Sequence, residues 1–484
     1  METNSQARKK RMVSIILAAA IAVTAAAQAA SQTPRAQEAL AGIWAGELAV
    51  QALRLRMVFT VTSENGSLKA SLDSLDQGAK GLPVASAALQ GSRVAFEMPA
   101  FGARYEGELS GDGLRIDGAW EQGGAKLPLL LERTNAPIVL DRPQEPRPPF
   151  PYASEEVTFR NEKAGIALAG TLFIPEGPGP FPALVLVSGS GAQNRDEELM
   201  GHKPFLVLAD YLARRGIASL RYDDRGVGGS GGGGPSDTSL DFADDAEAAL
   251  ETLAARPEIA QGKTGIAGHS EGGLIAPIVA SRNAKAAFLV LLAGPGLRGQ
   301  ELLLKQGELI ARASGASDED IADAASINAV LYSIAAGSAE GPAAVAALKE
   351  AYLAWMSSNA RMGEEEKAAA RKSVDEIVAP LASPWFRTFL STDPALYLAK
   401  VGVPVLALNG SMDLQVPAAE DLAAIERAIG PRADQRNRYV ELPGLNHLFQ
   451  TTATGLPEEY GKLTETISPA ALDLIGDWIS NLWR

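Results

Sequence analysis

The sequence predicts a doubly wound α/β domain carrying a helical cap insertion and preceded by a small all-β domain. Three observations lead there. Short, nearly continuous apolar runs at 183–187, 217–220, 264–267, 287–292 and 403–408 read as parallel strands covered on both faces, and helical patterns such as 204–215 and 241–255 separate most of them. Residues 40–134 instead alternate apolar and polar side chains with a period of two. Between Gly294 and Asp393 no strand pattern occurs, while helical patterns do.

The elements follow in chain order. Arg8-Lys9-Lys10-Arg11, an apolar stretch over 12–27 and the small-residue site Ala27-Gln28-Ala29 have the layout of a secretory signal peptide, residues 1–29. The segment is too short and Ala-rich for a spanning helix, so no stable membrane insertion of the mature chain is expected. Export places the mature chain in the periplasm first, the medium second. The chain has 0 Cys, which excludes disulfides and lipid attachment at cysteine. In the all-β segment 40–134, Leu53, Leu55, Met57, Phe59 and Val61 alternate with Arg54, Arg56, Thr60 and Thr62, and Asn65-Gly66 and Gly111-Asp112-Gly113 read as hairpin turns. Trp44, Phe96, Tyr105 and Trp120 are expected in its core. Residues 135–151, rich in Pro, form a stiff linker. The α/β domain occupies 152–484, with the insertion at about 296–392. Tyr332, Tyr352, Trp355, Trp385, Phe386 and Phe389 either line a substrate face of that insertion or hold it together.

Bulk composition narrows the function. Hydrophobic content of 46% with 21% charged residues is that of a globular protein, and 484 residues suffice for more than one domain. A net charge of −14 argues against a nucleic-acid partner, because phosphates would be repelled. Three scattered His without Cys give no metal-ligand cluster, so neither metal nor cofactor is expected. Gly226-Val227-Gly228-Gly229-Ser230-Gly231 matches a dinucleotide fingerprint as a string, but no helix opens on these glycines to meet a pyrophosphate.

Chemistry enters at Gly268-His269-Ser270-Glu271-Gly272, which reads G-x-S-x-G between a strand pattern and a small-residue helix pattern. That context puts a serine on a sharp strand-to-helix turn, with glycines where a Cβ would collide with backbone. The second copy of the string, Gly228-Gly229-Ser230-Gly231-Gly232, lies in a glycine run with no helix after it, so Ser230 is a loop residue. A nucleophilic Ser270 needs an imidazole base oriented by a carboxylate. His269 adjoins the serine and should point away from it, and His202 precedes the nucleophile, where it could border the site. His447, after a strand at 438–442 and before the last helix, is therefore the base. Asp413, in the turn after the 403–408 strand, is the acid; its competitor Asp393 precedes a proline with no strand leading in. The oxyanion donors are the backbone N–H of Glu271 and one from Ser188-Gly189-Ser190-Gly191, with Ser190 preferred and Gly191 its rival.

On these residues, segment 152–484 resembles the α/β-hydrolase superfamily. Within it the chain is similar to bacterial exported hydrolases of the prolyl-oligopeptidase/serine-aminopeptidase-like and dienelactone-hydrolase-like group. The likeness rests on Ser188-Gly189-Ser190-Gly191, Tyr222-Asp223-Asp224-Arg225-Gly226-Val227-Gly228, the Ser270 turn, and the Asp413 and His447 turns. Asp-x-Arg-Gly-x-Gly also resembles a segment of prolyl aminopeptidases that shapes the site wall, which implies that Asp224 and Arg225 brace this loop. A β-domain on a Pro-rich linker resembles some bacterial esterases. Ser188 stands where many lipases carry His-Gly, so lipase activity is not implied.

The leading expectation is a serine hydrolase cleaving carboxylic esters of short acyl chains by a Ser270–His447–Asp413 acyl-enzyme mechanism. The alternative is an exported, aminopeptidase-like serine peptidase acting on short peptides, which needs a carboxylate such as Glu271 or Glu364 to receive the substrate's amine. A non-catalytic binding protein on the same fold is the remote third. In each case the partner is a small molecule or short peptide, and the sequence sets no oligomeric state.

Overall fold

The structure, a computed structural model, describes residues 39–50, 53–64, 67–75, 79–136, 141–337, 339–430 and 434–484. The expected signal peptide and the Asn65-Gly66 turn lie outside the described residues. The chain divides into two compact units, meeting in sequence between Asp141 and Arg142.

The first unit is an antiparallel sheet. Its strands are β1 (Gly42–Val50), β2 (Leu53–Glu64), β3 (Ser67–Ser74), β4 (Ala79–Val84), β5 (Ser86–Gln90), β6 (Arg93–Met98), β7 (Ala103–Leu109), β8 (Arg115–Gln122) and β9 (Ala125–Thr134). They are ordered β4-β3-β2-β1-β9-β8-β7-β6-β5. The period-two pattern holds: Met57, Phe59 and Val61 of β2 all point into the core. The four expected core aromatics are buried there, and each polar tip is satisfied or absent. Trp44 donates Nε1–H to the Leu40 carbonyl at 2.8 Å, and the Tyr105 hydroxyl reaches the carbonyls of Ile116 and Leu129 at 3.1 Å each. The Gly111-Asp112-Gly113 turn joins β7 to β8, with Gly113 N–H donating to the Ser110 carbonyl at 2.8 Å.

The second unit is built on eight strands: β10 (Ala153–Asn161), β11 (Ile166–Ile174), β12 (Phe181–Val187), β13 (Ala218–Tyr222), β14 (Ile259–His269), β15 (Leu289–Leu292), β16 (Val405–Gly410) and β17 (Arg438–Leu442). Their order is β10-β11-β13-β12-β14-β15-β16-β17, antiparallel as far as the β11–β13 pair and parallel from there on. The helices connecting them are α1 (Pro204–Arg214), α2 (Ser239–Ala254), α3 (Gly272–Ala280), α10 (Ala418–Ile429) and α11 (Pro469–Asn481). Two apolar layers result. Ala243, Leu250, Leu274, Ile278, Leu422 and Ile425 cover one face of the sheet from α2, α3 and α10. Leu208, Leu212, Ile475 and Ile479 cover the other from α1 and α11. This is the doubly wound α/β-hydrolase arrangement, with β12–β17 ending on one edge.

Between β15 and β16 the chain leaves the sheet to form α4 (Gly299–Ala313), α5 (Asp318–Ala335), α6 (Gly341–Ser358), α7 (Glu364–Val378), α8 (Pro384–Ser391) and α9 (Pro394–Leu398). This insertion has its own core around Ile327, Leu331, Leu348, Val374, Val378 and Leu390. The Pro-rich segment is not free along its length. From Arg142 on it is laced to the α/β unit: Arg142 donates to the carbonyls of Leu463 and Gly461 at 3.0 Å, and Gln144 bonds both the N–H and the C=O of Ile467.

Candidate active site

Ser270 sits between β14 and α3 with φ of +53°, the left-handed region that a serine rarely adopts. Its N–H donates to the Leu292 carbonyl of β15 at 2.8 Å, and its carbonyl accepts from Gly273 at 2.8 Å, so the strain is held by the sheet on one side and the helix on the other. The flanking glycines are there for space. A Cβ on Gly268 would lie 1.9 Å from the Gly272 carbonyl oxygen, and one on Gly272 would lie 2.2 Å from that of Val187. Ser270 itself stays partly exposed while its neighbours on both sides are buried.

Asp413 follows β16 and His447 follows β17, which are parallel neighbours, so both loops leave the same edge of the sheet. Cross-bonds lock the loops together: Ser411 N–H to the Leu442 carbonyl at 2.8 Å and Met412 N–H to the Leu445 carbonyl at 2.9 Å. The two side chains meet, with His447 Nδ1 2.8 Å from Asp413 Oδ2. The other carboxylate oxygen, Oδ1, accepts the N–H groups of Gln415 and Val416 at 2.8 and 2.9 Å. Since an ionised carboxylate only accepts, Nδ1 carries the proton and Nε2 is the basic nitrogen. Asn446 fixes the His447 turn from below by accepting from Leu448 and Gln450 N–H at 3.0 and 2.9 Å.

The loop after β12 closes the site from the other side. Gly189 abuts Ser270 so tightly that a Cβ there would lie 3.1 Å from Ser270 Cβ. Its N–H is already used, donating to Glu197 Oε1 at 2.7 Å, which leaves Ser190 and Gly191, both exposed, as the loop's free candidates for an oxyanion donor. Ser188 and Gln193 anchor the loop to Asp224 through a hydroxyl at 2.8 Å and an N–H at 2.9 Å. Burial pushes the Asp224 carboxyl up to about 7, and the nearby Glu197 and Glu271 add to that. Arg225 turns away to bind Asp245 at 2.7 Å and Asp237 at 3.0 Å, so Asp224 braces this loop while Arg225 ties its own segment to α2.

Several residues take places the sequence did not assign. His202 does not border the site: it is wholly buried, with Nδ1 2.9 Å from Thr466 Oγ1 and Nε2 2.9 Å from the Tyr460 carbonyl. Burial holds it down at about 4, with the Arg142 charge contributing, so it is neutral. Asp393 is the N-cap of α9, accepting from Ala395 N–H at 3.0 Å, and pairs with Arg298. Ser230 is more than a loop residue. It is buried, donates to the Asp223 carbonyl at 2.7 Å and accepts Ala169 N–H at 2.9 Å. Glu197, unmarked in the sequence, is buried beside His269, 2.9 Å from Nδ1.

The comparisons with known proteins fall on this unit. Residues 203–328, which include Ser270 but stop short of Asp413 and His447, match the family model described as serine aminopeptidase, S33. Esterase EstD of Thermotoga maritima is 24% identical over 315 residues, 64% of this chain and 65% of that protein, so the match spans a little under two thirds of the relative's length. Among solved structures, the alpha/beta hydrolase GrgF from Penicillium sp. sh18 is 18% identical, covering 69% of this chain and 99% of that one at a TM-score of 0.41. The Pyrococcus furiosus esterase Pf2001 is 15% identical, covering 72% and 99% at a TM-score of 0.39.

Proposed function

We propose that this chain is a serine hydrolase that cleaves carboxylic esters of short acyl chains through an acyl-enzyme. Ser270 Oγ attacks the acyl carbon as His447 Nε2 takes its proton, and Asp413 orients the imidazole and stabilises its cation. The oxygen that becomes negative is received by the N–H groups of Glu271 and Ser190. His447 then returns the proton to the departing alkoxide, and a water activated by the same nitrogen releases the acid. The observation that carries the reading is the coincidence of two things at one sheet edge: a strained, partly exposed serine at φ +53° and a His–Asp pair at 2.8 Å.

The similarity to an esterase favours ester over peptide. The family model named for a serine aminopeptidase favours the reverse. The site adds support for ester: an amine receptor needs a carboxylate open to the substrate, and Glu271 is already bonded to Ser239 and Trp385. The test is a panel of p-nitrophenyl esters from acetate to octanoate against aminoacyl and prolyl anilides. Higher kcat/KM on the short esters is expected; preference for the anilides would overturn the ester assignment while leaving the nucleophile in place. Residues 1–29 are proposed as a signal peptide, so a periplasmic fraction should yield a chain beginning at Ala30.

A further inference from the structure

Glu271 follows the nucleophile, and only its backbone N–H has a part in the chemistry proposed above. Its side chain is 2% exposed and makes no capping bond to its own helix. Instead its carboxylate collects donors from two separate segments. The hydroxyl of Ser239, first residue of α2, lies 2.5 Å away. The indole N–H of Trp385, on α8 of the insertion, reaches both oxygens at 2.9 and 3.1 Å. Neither donor is charged. Burial pushes the Glu271 carboxyl up, and the hydrogen bonds from Ser239 and Trp385 pull against that. Gly189, on the loop that carries Ser190, packs against the neighbouring Ser270: a Cβ on it would lie 3.1 Å from Ser270 Cβ.

The Ser190 loop and the Trp385 segment both matter to a substrate. Ser190 carries the preferred second oxyanion donor. Trp385 stacks on Phe389 at 5.8 Å and tilts against Phe386 at 6.1 Å, and Phe386 meets Tyr332 edge-on at 5.7 Å. The indole therefore links the nucleophile turn to the aromatic interior of the insertion. We infer that Glu271 is a positioning residue whose carboxylate ties the insertion's wall at Trp385 to the nucleophile turn, against which the oxyanion loop packs, so that oxyanion stabilisation and acyl-chain selectivity depend on one side chain. The inference rests on the proposed reading of Ser270 as the nucleophile.

The test compares wild type with Glu271→Gln, Trp385→Phe, the double variant, and Ser270→Ala as control. It reads kcat and KM on p-nitrophenyl acetate and octanoate, the rate of covalent labelling by a fluorophosphonate probe, and thermal melting. Glu271→Gln should slow kcat on both esters and the labelling rate by about tenfold, less than outright removal of an oxyanion donor. Trp385→Phe, which deletes the indole N–H, should leave acetate kcat within about twofold and change the octanoate-to-acetate ratio about fivefold. The double variant should show the octanoate-to-acetate ratio of Glu271→Gln alone, because the tether is cut already.

Wild-type labelling and kcat in a folded Glu271→Gln, or strictly additive effects in the double variant, would overturn the inference. So would a Glu271→Gln variant impaired only on aminoacyl anilides, which would make Glu271 an amine receptor. If Glu271→Gln does not fold, Ser239→Ala and Trp385→Phe each remove one donor, and unchanged kcat and selectivity in both would overturn it equally. Labelling that survives Ser270→Ala refutes the nucleophile assignment instead. Labelling without ester turnover refutes the ester assignment and still reads the effect of Glu271 on the oxyanion loop.

Discussion

Nε2 of His269 lies 3.0 Å from the backbone carbonyl oxygen of His447, so the residue before the proposed nucleophile supports the loop of the proposed base. A carbonyl only accepts, which puts a proton on Nε2. Nδ1 faces Glu197 Oε1, which already accepts Gly189 N–H. Burial alone would lower the His269 pKa, but the charge and hydrogen bond of Glu197 outweigh it and the net shift is upward. The loop after β12, the Ser270 turn and the His447 loop all meet on this pair. Its contribution to stability is full below the unfolded histidine value and is lost as pH rises through the raised folded one.

Replacing Glu197 by Gln tests that arrangement. It leaves a buried imidazolium without its partner, or forces it neutral, and should cost about 3 kcal/mol of stability. Because Gly189 and His447 shift together, kcat should fall about tenfold with KM little changed. Chemical denaturation and steady-state kinetics read the two effects. A variant with native stability and kcat would show that the pair is neutral and idle.

Ser270 and Ser230 occupy the same five-residue string and should respond in opposite ways. Ser270→Ala should lower ester hydrolysis by about four orders of magnitude or more without loss of stability. Ser230→Ala should keep kcat but lose about 1–3 kcal/mol, because the Asp223 carbonyl and Ala169 N–H each lose a partner in a buried setting. Activity surviving the first substitution would end the nucleophile assignment.

What was legible in the sequence was local. The strand expected at 438–442 is β17, Arg438–Leu442, and the strand–turn–helix around Ser270 is in place, because a period of apolar residues and a pair of glycines act within a few positions. With 3 His in the chain, chain order alone was enough to propose His447 as the base. What was missed depends on distant partners. The β10–β11 hairpin was not marked because its charged residues, Glu155, Glu156 and Arg160, hide an edge strand that buries little more than Phe159 and Asn161. Glu197 finds His269 across 72 positions, and Glu271 finds Trp385 across 114. No spacing rule encodes either contact.

Asp421, in the first turn of α10, gives a pH test with a defined sign. Oδ1 accepts the N–H groups of Gly296 and Leu297 at 2.7 and 3.0 Å, while Oδ2 is buried with no hydrogen-bond partner among the described residues. Burial pushes its carboxyl up to about 7, and the Asp413 charge adds to that. The folded state therefore keeps a proton that the unfolded chain gives up near pH 4, so this stability is full at low pH and lost as pH rises through 7. Asp421→Asn removes the titration and keeps an acceptor for both N–H groups. Its melting temperature relative to wild type should rise between pH 5 and pH 8, and a difference that stays flat would mean that Asp421 does not titrate there.

The turn at Ser270 gives the last test, since it separates crowding from backbone strain. A methyl on Gly268 would sit 1.9 Å from the Gly272 carbonyl oxygen and 2.7 Å from Gly273 N, and these are backbone atoms that cannot rotate away. Either the end of β14 or the first turn of α3 must move, which should cost about 3 kcal/mol, the upper end of what overpacking does. Any such movement displaces the serine that this turn holds at φ +53°, so hydrolysis should fall even in molecules that remain folded. Gly262, in the same strand, is the control. Its φ is +71°, and a methyl added there would meet nothing within 4 Å, so Gly262→Ala should cost only about 1–2 kcal/mol of conformational strain and leave kcat alone. Denaturant melts and kcat/KM measured on both variants separate the effects, and a Gly268→Ala enzyme with native stability and activity would show that the close approach of the strand and helix is dispensable.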